Sequence, residues 1–80
     1  MDKFLEFLKL IDKLLKFPQM TLSEKETELI KEVLSKILED NPNYGPKTKR
    51  IFKEMLDAAN NSYLLYKELE AYIMTNDITQ

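Results

Sequence analysis

The chain has no cysteine and no histidine among its 80 residues, no tryptophan, and a single glycine. Each absence removes a class of chemistry. Without cysteine there are no disulfide staples and no zinc-thiolate site, a pattern that fits a reducing compartment. Without histidine the commonest general base and metal ligand is missing, so Ser-His-Asp and Cys-His nucleophile schemes and HExxH zinc sites cannot be assembled. Carboxylate-bridged metal bundles need Glu-x-x-His pairs and fall with them. One glycine makes no glycine-rich phosphate loop.

An excess of one charge is also lacking. Fourteen acidic and twelve basic residues give a net charge of -2, so no global field draws the chain to nucleic acid. Long apolar runs are absent as well. The opening "MDKFLEFLKLIDKLLKF" is broken by charge every two to three residues, unlike a signal peptide or a membrane span. The expectation is a soluble, cytoplasmic chain. Its length fits one domain, residues 1–80, that buries only roughly 60 to 65% of its unfolded surface and so needs a well-patterned core.

What is present is helical periodicity. From Asp2 to Phe17, the residues Phe4, Phe7, Leu8, Ile11, Leu14 and Leu15 recur at spacings of three and four and gather on one face, with Leu10 and Phe17 at its shoulder. Leu5 falls on the polar side, with no obvious place in a monomer's core. Pro18 ends the segment by disfavouring helix at Phe17. A second helix opens at "TLSEKE", where Ser23 and Glu26 form a capping box, with Thr21 and Glu24 offering the same box two residues earlier. Leu29, Ile30, Val33, Leu34, Ile37 and Leu38 make its stripe, and it should stop near Asp40 before the turn "NPNYG".

Pro46 suits the first turn of a third helix. Beyond it, Thr48, Phe52, Met55, Ala59, Ser62, Tyr66, Leu69 and Ile73 keep one seam, which permits a single helix of about thirty residues and roughly 45 Å. Against that, Asn60 to Ser62 offer a left-handed helix end and a fresh N-cap. A break there folds a fourth helix back and is the preferred reading. The fold class expected is an all-α antiparallel bundle of four helices, or three if the last two are continuous. The closing "TNDITQ" reads as a frayed end.

Candidate chemistry is sparse. A carboxylate mechanism needs two acids in a cleft with divergent pKa values, whereas "EKETE" complements a helix N-terminus and spaces Glu28 and Glu32 for pairing with lysines. No catalytic residue, cofactor or metal site is expected, and the chain reads as a non-enzyme. The Phe- and Leu-rich face of the first helix has the character of a membrane-surface anchor. Its polar face mixes Asp2, Glu6 and Asp12 with lysines, so that apolar face is expected in the core instead.

Two binding surfaces remain. Lys47, Lys49, Arg50 and Lys53 crowd the start of helix three, where cations oppose the helix dipole, while Glu39 and Asp40 oppose it at the end of helix two. Either the two sets neutralise each other across the loop, or free amides after Pro46 and these cations form an anion site with Tyr44 stacking nearby. The last segment carries Tyr63, Leu64, Leu65, Tyr66, Tyr72 and Met74, more apolar circumference than one core stripe needs: either the helix is fully surrounded in the bundle, or it presents an interface, where tyrosine is enriched at hot spots.

In outline the chain resembles the small immunity proteins that protect lactic-acid bacteria from their own bacteriocins. The resemblance rests on "LSEKE" at Leu22 to Glu26, "DAANN" at the end of helix three and "YKELEAY" in the last helix. Lys25 interrupts the acidic pattern of that group, and no functional residue carries over. The resemblance implies a short four-helix bundle without enzymatic activity that protects from the cytoplasm by binding a membrane receptor complex. The alternative is a small phage or plasmid regulator that binds nucleic acid or host machinery through the basic start of helix three. A homodimer follows if the last two helices are one.

Overall fold

The computed structural model describes residues 2–75, and four helices account for most of them: α1 (Lys3–Lys16), α2 (Glu24–Asp40), α3 (Pro46–Asp57) and α4 (Ser62–Met74). No strand occurs among the described residues. The "TNDITQ" segment lies outside them beyond Thr75, which itself caps α4.

Local chemistry sets each boundary. Asp2 caps α1 by accepting from the Phe4 amide at 2.9 Å. The competition between two boxes at the start of α2 resolves in favour of Ser23: its hydroxyl accepts from the Glu26 amide at 3.1 Å, and the Glu26 carboxylate accepts from the Ser23 amide at 2.8 Å. Two orphan amides are satisfied reciprocally, which fixes the register of the helix entry. Pro46 is the first residue of α3, preceded by Gly45 as a cap without a side-chain acceptor. Gly45 has φ -67°, and no described residue has positive φ, so the loop does not depend on glycine's conformational freedom.

The long-helix reading is excluded. Helix α3 closes with the Ala58 amide donating to the Glu54 carbonyl at 2.9 Å, and the chain turns with the Asn61 amide donating to the Ala58 carbonyl at 2.9 Å. The Asn61 side chain then accepts from the Leu64 amide at 3.1 Å and starts α4. The left-handed end expected at Asn60 to Ser62 does not form, since no described residue there has positive φ; successive tight backbone bonds turn the chain without it.

Packing follows the ring α1, α2, α3, α4. Each helix packs on its sequence neighbour, α1 meets α4 over a short stretch, and the backbones of the diagonal pairs stay more than 8 Å apart between Cα atoms. The smallest dimension, 18 Å, is that of two helix layers. The core takes Phe7, Leu10 and Leu14 from α1, Ile30, Val33 and Leu34 from α2, Ile51, Phe52 and Met55 from α3, and Leu65 and Leu69 from α4. Ala58 and Ala59 are buried where the chain turns, and Thr48 is the one buried polar residue among those described.

One face differs from its expected placement. In α1 the buried residues are Phe7, Leu10 and Leu14, while Phe4, Leu8 and Leu15 are exposed. At about 100° per residue, the buried meridian is rotated roughly 70° from the centre of the apolar stripe, toward Leu10. Leu5 is exposed as its polar-side position requires, and so is Phe17.

Candidate functional site

The eight residues singled out from the sequence separate into three places. Lys47, Lys49, Arg50 and Lys53 are exposed on the first two turns of α3. Neutralisation across the loop is not the arrangement found for three of them. Asp40 pairs with Lys36 one turn earlier on its own helix, at 3.6 Å, and among the described residues no ion pair joins Lys49, Arg50 or Lys53 to Glu39 or Asp40. Lys49, Arg50 and Lys53 stay exposed, while Asp40 is engaged by the i,i+4 lysine of its own helix.

Tyr44 is not stacked over this cluster. It is half-buried, with its ring 5.7 Å from Phe52. The ring of Tyr72 also packs on Phe52, edge-on at 5.4 Å, a geometry favoured by the aromatic quadrupole. Burial, and then the neighbouring Tyr44 hydroxyl, raise the pKa of Tyr72 above the usual phenol value. The two tyrosines therefore form one aromatic end-piece joining the loop, α3 and α4.

On α4 the exposed Tyr63 and the half-buried Tyr66, which packs against the core, have rings 6.5 Å apart. Lys67 Nζ sits 6.0 Å from the centre of the Tyr63 ring, at the outer limit for a cation–π contact. Tyr66 has its pKa raised chiefly by donating its hydroxyl to the Glu70 carboxylate.

A concave feature between α1 and α4 was not anticipated from the sequence. It is an open groove of about 530 Å³. Phe4, Leu8, Ile11 and Leu15 form its α1 wall, and Leu69, Tyr72 and Ile73 its α4 wall. Leu34, Ile37, Phe52 and Met55 make the floor, and Tyr44 and Asn41 close one end. A shallower extension runs past Leu15 to Tyr66, Glu70, Ile73 and Met74. The groove exists because α1 and α4 meet only briefly, so the flank of α1 that the rotation leaves uncovered faces an equally uncovered flank of α4.

Its chemistry is narrow. The Asn41 amide is committed, donating to the Ile37 carbonyl at 2.8 Å, and the walls are otherwise aliphatic and aromatic. Small-molecule sites orient polar ligands with converging donors and acceptors, which this surface does not supply. Among the described residues no group of three acidic side chains could hold a metal ion. No helix of the described residues is long and apolar enough to cross a membrane. The arrangement suits an apolar segment laid lengthwise.

A sequence signal for the groove existed. Eight of the fourteen α1 residues are apolar, and from Leu10 round to Leu5 they span about 220° of the helix, twice the width of a core-facing stripe. The family models, curated proteins and solved structures compared with the chain include no match to it.

Proposed function

We propose that this chain is a non-enzymatic protein-interaction module whose working surface is the α1/α4 groove. The observation that carries this reading is the exposure of Phe4, Leu8, Leu15, Ile73 and Met74 around one concave apolar surface. Large contiguous apolar patches mark binding sites, and a groove between helices is the usual receptor for the apolar face of another helix. Tyr44 and Tyr72 contribute as rigid side chains at its end. The resemblance to bacteriocin immunity proteins supports a finer version, in which the partner is a membrane receptor complex engaged from the cytoplasm.

Expression in a bacteriocin-sensitive strain tests this, with a photo-crosslinking residue in place of Leu8 reporting what the groove touches. Survival, with a crosslink to a membrane protein that Leu15→Glu abolishes, is the expected result. Sensitivity equal to the empty strain overturns the immunity version, and a crosslink indifferent to Leu15→Glu overturns the groove.

A second reading retains the basic start of α3. It is favoured by one observation, that Lys49, Arg50 and Lys53 stay exposed and unmatched by the acids across the loop. In that reading the chain is a small regulator that contacts nucleic acid or an acidic surface of host machinery, and its salt dependence separates it from the first.

A further inference from the structure

We infer that the rims of the groove also form a self-association surface, over which a second copy of this chain closes; this rests on the reading of the groove as a docking surface. The first argument is area. Phe4, Leu8, Leu15, Ile73 and Met74 are 48%, 44%, 38%, 65% and 83% exposed. At roughly 200 Å² for a large apolar side chain, they leave on the order of 550 Å² of apolar surface in water. That is the upper end of the roughly 300 to 600 Å² seen for the largest patch on a monomer. It is also about two thirds of the roughly 800 Å² each partner gives to a standard interface. Leu5, half exposed on the outer flank of α1, and the polar rim supply the remainder.

The second argument is charge. The α1 rim carries an Asp12–Lys16 pair at 3.2 Å, and the α4 rim a Lys67–Glu70 pair at 3.9 Å. Each rim is locally neutral, so neither selects an anionic lipid surface or a partner of one sign. The two rims are instead suited to each other. Leu15 and Glu70 line the same stretch of the groove. A two-fold axis running along the groove lays α1 of one copy over α4 of the other at equal height. Lys16, next to Leu15, then meets Glu70 of the second copy, and the symmetry repeats the contact. Opposed charges at a rim fix register and orientation around an apolar centre.

Sedimentation equilibrium on the full chain tests this, with Leu8→Glu, Lys16→Glu, Glu70→Lys and the Lys16→Glu/Glu70→Lys double variant. All alter exposed or rim positions, and thermal melts followed by circular dichroism check that each variant folds. The expected result is the mass of two chains at about 10 μM and above, a one-chain mass for Leu8→Glu, and dimers weakened about tenfold by each charge reversal and restored to within about threefold by the double. A dimer that survives Leu8→Glu, or a double variant as weak as the singles, overturns the arrangement. A one-chain mass for the parent up to about 1 mM overturns the second copy as occupant. Fluorescence of anilinonaphthalene sulfonate separates this from failure of the groove itself. Dye binding that Leu8→Glu abolishes leaves the docking surface standing in a monomeric parent, and no such binding overturns both.

Discussion

The ring of Tyr72 stands edge-on against Phe52, with centroids 5.4 Å apart, and so links the last turn of α4 to the second turn of α3. Phe52 is 4% exposed and forms groove floor as well as core. Phe52→Ala is expected to cost about 3 to 5 kcal/mol of unfolding free energy in a denaturant titration. A double-mutant cycle with Tyr72→Ala is expected to return a coupling of about 1 kcal/mol. Strictly additive losses would mean that the ring contact adds nothing beyond buried area.

The rotation of α1 makes two leucines on one helix unequal. Leu14 is fully buried and Leu8 is 44% exposed. Leu14→Ala is expected to cost about 2 to 5 kcal/mol. Leu8→Gln, studied at dilution low enough to keep the chain monomeric, is expected to change stability by no more than about 0.5 kcal/mol. Equal losses would return Leu8 to the core, where its spacing first put it.

Asn61 separates α3 from α4 by accepting from the Leu64 amide. Asn61→Ala is expected to cost about 1 kcal/mol, and Asn61→Asp to restore most of it, since either side chain supplies the acceptor. Thermal or chemical melts measure both. No loss on going to alanine would show that packing alone enforces the break.

Glu68 gives the fold a pH dependence of predictable sign. Burial first, and then the charge of Glu54, raise its carboxyl above the ordinary value of 4.5. The folded chain therefore holds this proton more tightly than the unfolded chain does. Its contribution is fully present below about 4.5 and is lost as pH rises through the folded-state value. Glu68→Gln is expected to be more stable than the parent near pH 7, with the difference closing in acid. An unchanged pH profile would remove Glu68 as its source.

The basic start of α3 is expected to behave as a liability to the fold. Lys49→Ala/Arg50→Ala relieves cations that oppose the helix dipole and should gain a few tenths of a kcal/mol per charge. If the regulator reading holds, nucleic-acid affinity falls with salt at a log–log slope of about -3 to -4 for four contacts, and the double variant lowers that slope by about 2. Affinity that ignores salt, or is absent, would leave the groove as the sole candidate surface.

Elements whose cause is local were legible in the sequence. The Ser23 and Glu26 box, Pro46 at the head of α3 and the polar break at Asn61 each act within four residues. The groove was not, because its cause is nonlocal. Which flank of α1 is buried depends on where α2 and α4 stand, and an apolar arc of about 220° is compatible with several rotations. Tyr44 shows the same limit: the cationic run begins three residues after it, but its ring is held by Phe52, one turn and more into the next helix. Of the binding residues expected from sequence, Tyr44 and Tyr72 share the groove, Tyr66 borders its extension, and the four cations stand apart from it.

The brief meeting of α1 with α4 has a kinetic consequence. Every other contact between helices joins neighbours in the chain, so each helix can zip onto the next through a short loop, and only the meeting of α1 with α4 closes a long one. The α1/α4 seam is then the last contact to close and the first to open, whichever of the two terminal helices moves. Anything seated between α1 and α4 bridges the weakest seam of the ring. Occupancy would therefore be read as slower hydrogen exchange along both α1 and α4, well beyond the residues that are touched.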